Sequence, residues 1–228
     1  MTEFKQERGV VVIVDPSRGF MPKEEGERLR AMGNPDWQGF GELPVPHGEE
    51  IVDATIQLIR AAQVGGYAVI LILDDHPEET AHFGNPPDFV TSWPVHCVAG
   101  TPGARPHPDI EAALPEDTIR LYKGQEPLQP GEEDLSYSGW HATDRDGRTL
   151  GEYLPRRDDY IVIMVGNAFD YCLGSSAHDV RVNTGLPVIV VEEGTRSIAP
   201  ESEAAMRQKL HGDCVQIASL EQTLEIMS

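Results

Sequence analysis

The sequence predicts an α/β fold: one domain spanning residues 1–228, with a doubly wound, mostly parallel six-stranded sheet and helices on both faces. Three observations predict it. Six short runs rich in Val, Ile and Leu recur along the chain. The strongest are continuously apolar rather than alternating, as strands covered on both faces require. Helix-compatible segments separate most of them.

Val10 to Val14 (VVVIV) is an unbroken β-branched run and reads as the first strand. Residues 49–64 place Ile51, Thr55, Leu58, Ile59 and Ala62 on one helical face. Gly65-Gly66 then ends that helix, and Tyr67 to Leu73 (YAVILIL) reads as the second strand. Thr118 to Tyr122 is a shorter third, and Tyr160 to Val165 (YIVIMV) a fourth, with a helix after it from Asp170 to Asn183. Pro187 to Val191 gives the fifth strand, residues 200–210 a helix, Cys214 to Ile217 the sixth strand and Leu220 to Met227 a closing helix. Residues 15–48, 84–108 and 124–139 are rich in Pro and Gly and read as long loops. Such loops inside a domain are more often functional than idle.

Composition narrows the function classes. A chain with 39% hydrophobic residues has ample core material, and its three widely spaced cysteines do not form a disulfide framework, so a reduced, cytoplasmic setting fits. MTEFKQERGVVVIVD does not read as a signal peptide, because acidic residues stand where a cationic region belongs. No apolar stretch approaches a membrane span. The formal net charge of −20 argues against nucleic acid or an anionic membrane as partner and makes a small neutral or cationic substrate easier to accept than a polyphosphate. A homo-oligomer is compatible with these features.

In open parallel sheets, ligands bind outside the carboxyl ends of the strands. The residues at those ends are therefore the candidates for chemistry. Asp15 comes after the first strand; Asp74, Asp75 and His76 come after the second; Lys123 after the third; the fourth leads through Gly166-Asn167-Ala168 to Cys172. Asp15 alone reads equally as a turn opener before Pro16, and Lys123 alone as a solvated loop lysine. Most lone cysteines are buried small hydrophobes, but Cys172 falls near a helix N-terminus, which favours the thiolate. Cys97 and Cys214 read as structural. Asp74, His76, His82 and His96 offer one carboxylate and three imidazoles, a donor set suited to Zn²⁺, Mn²⁺ or Fe²⁺, although four unrelated loop residues would share that spacing. His47, His107, His141, His178 and His211 read as surface or structural residues.

The stretch Asp74-Asp75-His76-Pro77, then His82-Phe83, then Trp93-Pro94-Val95-His96-Cys97-Val98-Ala99-Gly100-Thr101-Pro102-Gly103-Ala104 resembles the nicotinamidases (pyrazinamidases) of the isochorismatase-like cysteine hydrolase superfamily. So do Lys123-Gly124, Ser136-Tyr137-Ser138-Gly139 and Ala168-x-Asp170-Tyr171-Cys172, in the same order. The resemblance implies the isochorismatase-like hydrolase fold and deamidation of nicotinamide to nicotinic acid and ammonia through a thioester, a step of NAD salvage. It implies Cys172 as nucleophile, Asp15 as general base and acid, and Lys123 between them. It further implies a divalent metal, zinc first, on Asp74, His76 and His96, with His82 either a fourth ligand or a neighbour acting through water. A cis peptide at Asn167–Ala168 and an oxyanion hole from the amides of Ala168 and Cys172 are carried over likewise. Phe20, Trp93 and Tyr137 match positions lining a pocket for a flat ring.

The chain departs from the pattern in places. Asp15-Pro16-Ser17-Arg18-Gly19-Phe20 lacks a common Gln, Asn167 and Phe169 are unusual, and Leu135 stands where an aspartate is common before Ser-Tyr-Ser. These departures leave the chemistry intact and bear on the pocket's shape and so on the substrate. Two rival readings stand beside the resemblance: an amidase for carbamoyl or ureido compounds, whose relatives generally lack the metal cluster, and a binding homologue without turnover. A zinc hydrolase that leaves Cys172 dispensable is a third.

Overall fold

β1 (Gly9–Val14), β2 (Ala68–Asp74), β3 (Ile119–Lys123), β4 (Ile161–Asn167), β5 (Val188–Arg196) and β6 (Gln216–Ala218) form one sheet in the order β3-β2-β1-β4-β5-β6. Every neighbouring pair is parallel. This is a computed structural model, and it describes residues 8–125, 134–155, 157 and 159–228. Part of the long loop expected over 124–139 therefore lies outside the described residues.

All six residues of β1 are buried, which explains why its sequence never alternates. Val10, Val12 and Val14 face Leu173, Ala177, Val180 and Leu210 on one side. Val11 and Ile13 face Ile51, Leu58, Ile59, Ala62 and Met227 on the other. Helices α2 (Ile51–Gly65) and α7 (Leu220–Met227) thus cover one face, and α5 (Gly174–Thr184) and α6 (Pro200–Gly212) the other. α2 stops where its sequence predicts: Gly66 adopts φ +72° and its N–H closes onto the Ala62 carbonyl, a conformation glycine takes without a Cβ clash.

Several boundaries differ from the sequence reading. β2, β3 and β4 run on into polar residues, so Asp74, Lys123 and Asn167 are the last residues of their strands rather than loop residues. β6 begins only at Gln216, because Cys214 turns the chain at φ +58°. The first Pro- and Gly-rich stretch holds a further helix, α1 (Lys23–Ala31), α3 (Pro108–Ala113) begins where the second ends, and the short α4 (Leu150–Tyr153) precedes β4. β5 extends to Arg196 because its register against β4 shifts between Met164 and Gly166, so that Met164 pairs with Val190 but Gly166 with Thr195. Among the described residues, no helix is long and apolar enough to cross a membrane.

Candidate active site and metal centre

The sheet order reverses direction between β1 and β4, and this is where the crevice opens. Asp15 leaves β1 with φ +48°, a left-handed conformation that aspartate tolerates better than most residues. Its backbone N–H donates to Ile72 O and its Oδ1 accepts the Asp74 N–H, both at 2.9 Å. The carboxylate is thereby locked between β1 and β2. Lys123 reaches across from the end of β3, its Nζ 2.8 Å from Asp15 Oδ2 and 3.5 Å from Cys172 Sγ. The same ammonium contacts Asp74 Oδ1.

Cys172 sits in a π-helical turn, Phe169–Leu173, that leads from β4 into α5. Asp170 anchors this turn by accepting N–H bonds from Ile198 and Ala199 and the hydroxyl of Ser202. Ser176 ties it to the preceding loop, donating to Cys172 O at 2.6 Å and accepting the Gly139 N–H at 2.7 Å. The peptide between Asn167 and Ala168 is cis, in agreement with the resemblance.

Three charged groups and a thiol are buried together, and their pKa values move accordingly. Burial, then the negative charge of Asp74, pushes the Asp15 carboxyl up to about 7 although Lys123 pulls it down. Asp74 is also buried, but Lys123 and His76 overrule that penalty and hold it well below the usual carboxylate range. Lys123 is raised, because its two carboxylate neighbours outweigh desolvation. Burial pushes the Cys172 thiol well up; Lys123 opposes this, while Asp15 and Asp74 reinforce it. Burial thus works against the thiolate-favouring effect expected of a helix N-terminus. Asp15, whose carboxylate oxygen lies within 4.8 Å of Sγ, is the base next to the sulfur.

His76, His82 and His96 are all buried, with one ring nitrogen of each within 4.8 Å of the others. His82 stacks on His76 with ring centroids 4.6 Å apart. Each Nδ1 has an acceptor: Gly124 O at 3.2 Å for His76, Pro94 O at 2.7 Å for His96, and Asp134 Oδ2 at 2.6 Å for His82. A carbonyl or carboxylate acceptor puts the ring hydrogen on Nδ1 and leaves the lone pair on Nε2, the arrangement of metal-binding histidines. His76 Nε2 is buried with no hydrogen-bond partner and lies 3.6 Å from Asp74 Oδ2; His96 Nε2 is 4.0 Å from the same oxygen. Donors around a tetrahedral ion bound at about 2.1 Å stand about 3.4 Å apart, so this set fits a small divalent cation.

Gly124 shows why Lys123 precedes a glycine. Its φ is +69°, and a Cβ there would lie 2.5 Å from the His76 ring. Asp134 is a site residue that the sequence reading misses, since the aspartate expected immediately before Ser136 is replaced by Leu135. One position upstream, its carboxylate reaches His82 and also accepts the Ser136 N–H at 2.9 Å.

One cavity, about 400 Å³ including its open mouth, is lined by Cys172, Lys123, Asp74, His82 and His96. Phe20, Trp93 and Tyr137 line it as expected, together with Leu43, Val45 and Tyr171. The Trp93 indole N–H donates to the Tyr137 hydroxyl at 2.7 Å. Two of the other histidines are engaged elsewhere: His107 is buried against Glu25 at 3.0 Å, and His178 pairs with Asp213 at 2.6 Å.

An isochorismatase-domain family model matches residues 10–222, nearly the whole chain. The chain belongs to the isochorismatase family. Within this family it is 30% identical over 177 residues to a nicotinamidase/pyrazinamidase of Mycobacterium tuberculosis, covering 78% of this chain and 89% of the relative. It is 31% identical over 189 residues to a nicotinamidase of Escherichia coli, covering 74% and 83%. Among solved structures of the family, pyrazinamidase of Pyrococcus horikoshii in complex with zinc superposes with a TM-score of 0.69 at 28% identity, covering 93% of this chain and 99% of that one. This isochorismatase-family chain is an enzyme, a hydrolase acting on an amide C–N bond.

Proposed function

We propose that this enzyme hydrolyses nicotinamide to nicotinic acid and ammonia through a thioester on Cys172, with a divalent cation, Zn²⁺ first, held by Asp74, His76, His96 and His82. The observation that carries the reading is the clustering of Asp15, Lys123 and Cys172 beside three Nε2-presenting imidazoles, with Lys123, Cys172, His82 and His96 lining one aromatic-walled cavity. The nicotinamidase relatives support the substrate, and the zinc-bound pyrazinamidase supports the metal. The chemistry a bound cation supplies is Lewis acidity toward the ring nitrogen of the substrate.

The rest is the work of the chain. Phe20, Trp93 and Tyr137 bracket a flat ring and exclude water. Asp15 takes the proton of Cys172, and the sulfur adds to the amide carbon. Lys123 balances the charge that this transfer moves between the two. The amides of Ala168 and Cys172 donate to the developing oxyanion; one such donor is typically worth about 3 kcal/mol. Asp15 returns its proton to the leaving nitrogen as the C–N bond breaks, and ammonia departs. It then removes a proton from water, whose oxygen attacks the thioester carbon; as the C–S bond breaks, Asp15 hands that proton to the sulfur and the acid departs.

The test is ammonia release from nicotinamide by the purified protein, with and without chelator, and by the Cys172→Ala variant. Activity that is abolished by chelator, restored by Zn²⁺ and absent from a Cys172→Ala protein that still binds Zn²⁺ is expected. Turnover by Cys172→Ala would refute the thioester. Chelator-insensitive turnover of a carbamoyl compound, with none of nicotinamide, would move the enzyme to the ureido-type amidases.

A further inference from the structure

Resting on the metal reading above, we infer that Asp134 is a positioning residue that commits His82 to direct ligation as the fourth protein donor. Two of the three imidazoles are oriented by neutral backbone carbonyls of nearby loops, Gly124 O and Pro94 O. His82 is instead oriented by a carboxylate, and that carboxylate lies 52 residues further along the chain. The contact is short, at 2.6 Å, and both side chains are largely shielded, at 5% exposure for His82 and 17% for Asp134.

A carboxylate accepts but cannot donate, so His82 must present its hydrogen at Nδ1 and its lone pair at Nε2. The other tautomer would break this bond and turn an N–H toward the neighbouring rings. The ring plane is set as well, by stacking on His76 at an interplanar angle of 22°. A carboxylate partner also makes an imidazole a better electron-pair donor than a carbonyl does. Asp134 itself is held by the N–H and hydroxyl of Ser136, which lines the cavity. The segment that closes the active-site wall therefore also aims the fourth ligand.

The experiment measures Zn²⁺ affinity of the full-length protein by chelator competition for wild type, Asp134→Asn, His82→Ala and the double variant. Asp134→Asn is expected to bind Zn²⁺ about 10- to 100-fold more weakly. The double variant is expected to bind no more weakly than His82→Ala alone, and Co²⁺-loaded Asp134→Asn and His82→Ala should share an altered visible spectrum. Wild-type affinity in Asp134→Asn, or a further loss in the double variant, overturns the inference while leaving the metal reading intact. A wild type that binds no Zn²⁺ overturns both. Should Asp134→Asn fold poorly, ¹⁵N-histidine NMR of the Zn²⁺-loaded wild type decides instead: Nδ1–H with metal-bound Nε2 at His82 supports the inference, and an Nε2–H refutes it.

Discussion

Lys123 Nζ stands 2.8 Å from Asp15 Oδ2, and both side chains are almost wholly sealed from solvent. A buried pair of this kind is a poor source of stability but a costly thing to break, since one charge is left uncompensated. Lys123→Met leaves Asp15 facing Asp74 without a cation between them. At pH 8 the variant should lose about 3–5 kcal/mol. The Asp15 carboxyl, already lifted to about 7 in the folded protein, then rises further, so folding takes up its proton. The added stability is present at low pH and is lost as pH rises through the folded-state pKa. Urea unfolding at pH 5.5 and pH 8 checks this; equal losses at both values would count against the pairing.

Asp15 must be ionised to accept the proton of Cys172. With its carboxyl at about 7, raised chiefly by burial, kcat/KM should fall about tenfold per pH unit below that value. A rate profile flat from pH 5 to 8 would remove Asp15 from the role of base.

Gly124→Ala tests how closely the backbone serves the histidines. A left-handed alanine costs about 1–2 kcal/mol, and its methyl would press on the His76 ring from 2.5 Å. Both the melting temperature and Zn²⁺ affinity should drop. Unchanged Zn²⁺ binding would show that His76 has room to move.

Tyr137→Phe removes the acceptor of the Trp93 indole N–H. One such bond is worth about 1 kcal/mol, so KM for nicotinamide should rise about fivefold with kcat nearly constant. Steady-state kinetics decide; a fall in kcat at constant KM would place the pair in the chemistry rather than in ring binding.

The strands were legible because a strand buried on both faces has to be written in Val, Ile and Leu. Their ends were not, since Asp74, Lys123 and Asn167 continue the ladder with polar side chains that the site requires. α1 escaped notice because only Glu25, Gly26 and Leu29 are buried, too few apolar residues to give a period. α3 did carry a signal, proline at the first helical position after His107, hidden by the Pro-rich stretch before it. Asp15, Lys123 and Cys172 could be named from their positions after strands. Asp134 could not: it acts across 52 residues and stands one place away from the expected aspartate.

The slip in the β4–β5 ladder has a mechanical meaning. The residues it releases, Glu192 and Glu193, grip Arg207 of α6 and the backbone of Leu220 at the start of α7. Beyond the slip the chain delivers Ile198 to the cavity wall. The last two helices thus brace a wall to which they contribute no lining residue, and through Ser202, which donates to Asp170, α6 also steadies the turn that carries Cys172.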